Sequence, residues 1–133
     1  MKSSSFYEND ISSAARAYEV FRPLGYLDVE ELWGLALGPS LKILKTKMIF
    51  RGTVNSCPTH PREIFRFALL NNASALLIAH NHPSGEAEAS PADLEMTKQL
   101  ILAGRLIEIP LLDHLLITRN SYASFREKMW CVF

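Results

Sequence analysis

A surplus of charge of either sign is absent from this 133-residue sequence: 14 Lys and Arg stand against 14 Asp and Glu, a formal net charge of +0. Proteins that hold nucleic acid through their overall field carry a basic excess, so that mode of binding is excluded and a DNA role would need a local patch. Cysteine is scarce. Cys57 and Cys131 lie far apart and outside any metal-ligand spacing, which removes a disulfide framework and a cysteine-based zinc site and points to free thiols. Long apolar runs are missing too. No stretch approaches the roughly 18 residues of a membrane span, and the start MKSSSFYEND has no signal-peptide core. The expected location is the cytoplasm, with no membrane partner. There is no internal repeat and no low-complexity tract. What remains is an ordinary globular composition, 48% hydrophobic and 21% charged, in a chain long enough to bury one core without staples.

Helical and strand periods alternate along the chain. Residues 1–25 read as a polar N-terminal extension ending in a short amphipathic helix over 11–22, stopped by Pro23 and Gly25. Residues 26–133 read as one domain. LWGLALG and LKILKTKMIFRGTVN, separated by Gly38-Pro39-Ser40, are predicted as a hairpin whose first strand is so apolar that both its faces must be covered. Period-2 geometry puts Ile43, Lys45, Lys47, Ile49 and Arg51 on one face of the second strand. Pro61 opens a helix through REIFRFALL, and Asn71-Asn72 close it. The run from Ala73 to Ala79 is a buried strand ending at His80, with 80–89 as its exit loop. Ser90-Pro91 starts a long helix with a core stripe of Met96, Leu100, Ala103 and Ile107, and Pro110 ends it. LLDHLLIT and SYASF supply two more strands. Helices interleaved with strands imply an α/β fold, a central sheet flanked by helices.

His80 and His82 flank Asn81 at the mouth of the buried strand, and Asp93 follows after ten intervening residues, at the third position of the next helix. Two imidazoles and one carboxylate are a normal ligand set for Zn²⁺ in a hydrolase, with a fourth position left for water. Each part also has an ordinary structural reading. An H-x-H pair has little specificity, and Ser90-x-x-Asp93 around Pro91 is a good helix start. Their conjunction at one strand-loop-helix junction favours one bound zinc.

The string His80-Asn81-His82-Pro83-Ser84-Gly85, then Ser90-x-x-Asp93, resembles the JAMM motif. With FRGTVNS, HPREIFRFAL, LLIAHNHPSG, LLDHLLI and YASFRE, the stretch from Leu32 to Glu127 is similar to the RadC family of bacterial JAB/MPN-type domains. The resemblance implies a cytidine-deaminase-like α/β fold with a mixed central sheet and zinc held by His80, His82 and Asp93. The activity it implies is that of a metalloprotease, hydrolysis of amide or isopeptide bonds in a protein or peptide. Ser90 takes the role of oxyanion donor. A historical association with DNA repair comes with the family, and the charge balance does not support it. The family's catalytic Glu, placed on the second strand three residues before the Phe of FRGT, falls on Lys47. That placement implies a hydrolase short of its general base, with Lys47 pointing toward the metal and Glu63 and Glu88 as loosely placed substitutes. The rival reading is a non-catalytic zinc-binding interaction module on the same fold.

Among the remaining polar residues, Asp113 and His114 of LLDHLLI are placed to brace a ligand histidine. His60 reads as a helix-start residue, and Arg62, Arg66, Lys98 and Arg105 read as solvated helix faces. The literal His-Asn-His string does not make an HNH nuclease, whose residues are spread over a ββα unit. The missing P-C-x-x-C pair excludes a cytidine deaminase.

Overall fold

The structure, a computed structural model, describes residues 11–52 and 61–133; Cys57 and His60 lie outside the described residues. Helix α1 (Ala14–Phe21) runs into a 3-10 turn (Arg22–Tyr26) and then β1 (Glu31–Leu37) and β2 (Ile43–Arg51). Next come α2 (Pro61–Leu70), β3 (Ala75–Asn81), α3 (Pro91–Ile107), β4 (Leu111–Ile117) and β5 (Tyr122–Ser124). The strands form one five-stranded sheet in the order β2-β1-β3-β4-β5. β3 and β4 are parallel and the other pairs antiparallel, so the fold is α/β with a mixed sheet, as the sequence pattern implies. None of the described helices is long and apolar enough to cross a membrane.

Every residue of β3 is buried, because helices cover both faces of the sheet. On one face α1 and the turn after it pack Ala17, Phe21 and Leu24 against Leu35, Leu77, Leu115 and Ile117. On the other, Ile64 and Phe67 of α2 and Met96 and Leu100 of α3 cover Leu32, Ile78 and Leu116. Each such buried Leu or Ile contributes about 1.5–3 kcal/mol, which makes the ends of the central strands a rigid place from which to hang a site. Helix α3 comes unusually close to the chain that follows it. A Cβ on Gly104 would stand 2.5 Å from the Ile109 carbonyl oxygen, so only glycine permits that approach.

Three details differ from the sequence pattern. The buried face of α3 is Asp93, Met96, Thr97, Leu100, Ile101 and Gly104; Ile107, expected in the core stripe, is 43% exposed. A 3.6-residue period drifts across such a helix, and the packing of Gly104 on the sheet side selects its rotation. Strand β3 runs on through His80 to Asn81, because parallel pairing with Leu116 and Ile117 of β4 holds it extended. In β2 the register passes from Trp33↔Met48 to Leu32↔Phe50 and skips Ile49. This bulge turns Arg51 away from the face of Lys45 and Lys47 toward Glu31, as a one-residue slip in a strand must.

Candidate metal centre

His80 is held in mid-sheet, between Leu32 of β1 and Leu116 of β4. His82 follows just past the strand, tied by its N–H to the Ile117 carbonyl at 3.1 Å. Residues two apart on an extended chain share a face, so both imidazoles turn toward α3. There Ser90 caps the helix. Its Oγ accepts the Asp93 N–H at 3.0 Å while Asp93 Oδ2 accepts the Ser90 N–H at 2.9 Å, a reciprocal capping box. The cap aims the carboxylate: Oδ1 lies 3.3 Å from His80 Nε2 and Oδ2 lies 3.2 Å from His82 Nε2. The two Nε2 atoms are 3.0 Å apart.

A fourth side chain joins them. Glu30 precedes β1, and the antiparallel register that sets Leu32 beside His80 carries Glu30 toward His82. Glu30, His80, His82 and Asp93 offer ligand atoms that all lie within 4.8 Å of one another. The next residue, Glu31, faces the other way and locks the junction. Its carboxylate accepts from the Trp33 indole at 2.9 Å and from Arg51 at 2.7 Å. Its N–H donates to Asn81 Oδ1 at 2.7 Å, and Asn81 Nδ2 donates to the Val29 carbonyl at 3.0 Å. The start of β1 is thereby clamped to the end of β3, which holds Glu30 against the histidines.

The proton inventory shows what such a cluster needs. His82 Nδ1 lies 2.9 Å from the Glu86 carbonyl oxygen; a carbonyl only accepts, so Nδ1 carries the proton and the neutral ring turns a lone pair at Nε2 into the cluster. That lone pair converges with the Asp93 and Glu30 carboxylates. Burial raises the pKa of Glu30, against the pull of the neighbouring histidines. Burial also opposes ionisation of Asp93, but its contacts with the His80 and His82 rings, together with the hydrogen bond from the Ser90 N–H, hold it far below the usual carboxylate range. For His82 burial acts downward, and the Asp93 hydrogen bond, the Glu86 carbonyl and the acidic charges outweigh it, raising the pKa above 6.5. The cluster wants positive charge: two imidazole nitrogens and the Asp93 carboxylate are a donor set that could hold a metal ion, with the Glu30 carboxylate beside it.

A proton on His82 therefore competes with a metal. Affinity should fall about tenfold per pH unit below the raised His82 pKa and level off above it, as one displaced proton requires. Titration against a competing chelator across mildly acidic to neutral pH checks this; a flat profile would contradict it. Without metal the sign of the stability effect is the reverse. The His82–Asp93 ion pair supports the fold below pH 6.5 and is lost as pH rises through the raised pKa.

The other sequence-predicted residues divide. His114, fully buried, stands behind His80 with its Nε2 2.7 Å from His80 Nδ1. Asp113 does not brace a ligand. It lies on the opposite face of β4 and accepts from the Ser124 hydroxyl and from the N–H groups of His114 and Arg126, closing the β4–β5 corner. Ser90 and Glu88 line a cavity of about 480 Å³ with Glu30 and His82, whereas Glu63 pairs with Arg62 at 3.8 Å elsewhere.

Lys47 does not point at the cluster. It is paired with Gly34, which is paired in turn with Ile78. Lys47 is thus two strand spacings, about 10 Å, from β3 and two residues short of His80 along it. Its side chain lines a separate hollow of about 200 Å³ with Lys45, Glu63, Arg66 and Phe67. The acid that reaches the histidines comes from the start of β1. The available signal was topological: the first residues of a strand antiparallel to β3 must lie beside the last residues of β3.

Residues 11–130 match the family model of the RadC-like JAB domain. Relatives are a UPF0758 protein of Finegoldia magna, 39% identical over 127 residues, 95% of this chain and 56% of that protein; one of Actinobacillus succinogenes, 48% over 89 residues, 67% and 40%; and one of Thermosynechococcus vestitus, 52% over 86 residues, 65% and 34%. The chain matches from about a third to just over half of the length of these curated relatives. Since the family match takes in every described strand and all four residues of the cluster, the chain belongs to the RadC-like JAB domain family.

Proposed function

We propose that the cluster is a zinc centre and that the chain hydrolyses amide or isopeptide bonds in a protein or peptide, with Glu30 as its general base. The observation that carries this reading is the convergence of Glu30 with His80, His82 and Asp93 within 4.8 Å. Three of the four are pinned in the way ligands need to be: His80 by His114, His82 by the Glu86 carbonyl, Asp93 by the Ser90 N–H. Among the described residues no hydrogen bond holds the Glu30 carboxylate, which leaves it able to carry a proton. Glu30 also supplies the base that placing the catalytic position at Lys47 left missing, and this favours an enzyme over a non-catalytic zinc module.

When bound, zinc supplies a more acidic water and a Lewis acid for the scissile carbonyl. Glu30, whose pKa burial raises, takes the proton of the attacking water and returns it to the leaving amine. Ser90 Oγ uses a lone pair on the Asp93 N–H and keeps its own proton, so its hydroxyl donates to the carbonyl oxygen as charge develops there. The rim of the cavity at Ser84, Glu86 and Glu88 is exposed, giving access to a polymer chain. Zinc-loaded protein is expected to cleave members of a panel of peptide and isopeptide-linked substrates, with turnover abolished by chelator and restored by zinc. Absence of chelator-sensitive turnover across the panel would favour the non-catalytic module.

A further inference from the structure

Behind the cluster lies a chain of three hydrogen bonds that the proposed chemistry does not itself use. Thr97 Oγ1, one helical turn past Asp93, is 2.7 Å from the Asp93 carbonyl oxygen and 2.7 Å from His114 Nδ1. His114 Nε2 in turn is 2.7 Å from His80 Nδ1. Thr97 and His114 are both 0% exposed. The His114 ring is stacked on Phe125, with ring centroids 4.0 Å apart and planes 13° from parallel, so it cannot swing to another partner.

One hydroxyl proton settles the directions. The Asp93 carbonyl can only accept, so Thr97 spends its single proton there and must accept at its other contact. His114 Nδ1 therefore carries a proton. The ring is enclosed by a hydroxyl, an imidazole and a phenyl group with no acid in hydrogen-bond contact, an environment that keeps it neutral. Its Nε2 is then a lone pair that accepts from His80 Nδ1–H. His80 is left with its own lone pair at Nε2, the atom that faces His82 Nε2 and Asp93.

We infer that Thr97 is a positioning residue of the metal centre: its hydroxyl sets the tautomer of His114, and through that ring it fixes His80 as the Nδ1–H tautomer with Nε2 free to bind the ion. The inference rests on the zinc reading above and adds a residue to it. Asp93 and Thr97 form one unit, because the helix turn that delivers the carboxylate ligand also delivers the hydroxyl that orients the histidine ligand. Removing the hydroxyl without changing shape should invert the relay. In Thr97→Val the proton of His114 is no longer required at Nδ1. It moves to Nε2, His80 Nδ1 becomes the acceptor, and His80 presents N–H to the ion.

The test combines long-range proton–nitrogen correlation spectra of the histidine rings with zinc titration against a competing chelator, on the full chain. Wild-type protein should show Nδ1–H tautomers at His80 and His114 before and after zinc is added. Thr97→Val should show His114 as Nε2–H and bind zinc about 10- to 100-fold more weakly, the range for loss of an outer partner of a metal ligand. Thr97→Ser, which keeps the hydroxyl, should restore wild-type spectra and affinity. A wild-type His114 protonated at Nε2, or a folded Thr97→Val that binds zinc like wild type with unchanged tautomers, overturns the inference. If Thr97→Val does not fold, the wild-type and Thr97→Ser spectra still decide. Wild-type rings with the expected tautomers in a protein that takes up no zinc would overturn the metal reading itself.

Discussion

Glu30→Gln should keep zinc bound and lower hydrolysis about 10²- to 10⁴-fold, the contribution typical of a positioned general base. The amide preserves the size of the side chain and removes only its capacity to hold a proton. His80, His82 and Asp93 keep their own anchors to His114, Glu86 and Ser90, so the metal should stay. Parallel measurement of zinc content and turnover separates the alternatives: lost zinc would make Glu30 a ligand, and unchanged turnover would remove it from the chemistry. Lys47→Glu should alter neither quantity, because Lys47 lines the hollow with Glu63 and Arg66 and not the cavity of Glu30 and His82. A gain of activity in Lys47→Glu would restore β2 as the source of the base.

Asp93→Asn is expected to be the most damaging change to metal binding, costing more than the roughly 10- to 100-fold lost with an outer partner. The carboxylate is the centre's shared anchor, with one oxygen toward His80 and the other toward His82 and the Ser90 N–H. Asparagine can still accept from the Ser90 N–H and Ser90 still caps the helix, so the weakened capping box should cost the fold no more than about 1–2 kcal/mol. The expected pattern is a chain that melts cooperatively near the wild-type temperature and holds little zinc in chelator competition. A fold that collapses with Asp93→Asn would show that the residue is chiefly a cap; full zinc retention would show that it is not a ligand.

The residues of the centre differ in how far local sequence reveals them. His80, His82 and Asp93 were legible because a strand end, a short loop and a helix start keep them within fourteen positions of one another. The apolar runs of β1, β3 and β4 likewise announce strands covered on both faces. Glu30 lies fifty residues before His80, and only the sheet order, with β1 between β2 and β3, makes them neighbours. A period-2 pattern says which face a residue takes and nothing about which strands touch. The family resemblance, carried along the sequence alone, places the base on β2 at Lys47. The Ile49 bulge was hidden for a related reason: a skipped residue leaves no mark on an alternating pattern until the partner strand is known. Thr97 escaped because the core stripe of α3, read as Met96, Leu100, Ala103 and Ile107, leaves the buried face in its second half and passes beside Asp93, Thr97 and Gly104, which that face includes. Asp113 and His114 are adjacent in sequence, yet alternation along β4 sends one to the β5 corner and the other to His80.

The central claim is that four side chains from the start of β1, the end of β3 and the start of α3 constitute a metal centre. Elemental analysis of the chain purified without chelator and after dialysis against trace zinc tests it most directly, with His82→Ala carried alongside. One zinc per chain in the wild type and little in His82→Ala is the result the account predicts. A wild type that takes up no zinc, or a His82→Ala protein that keeps the full complement, would contradict it.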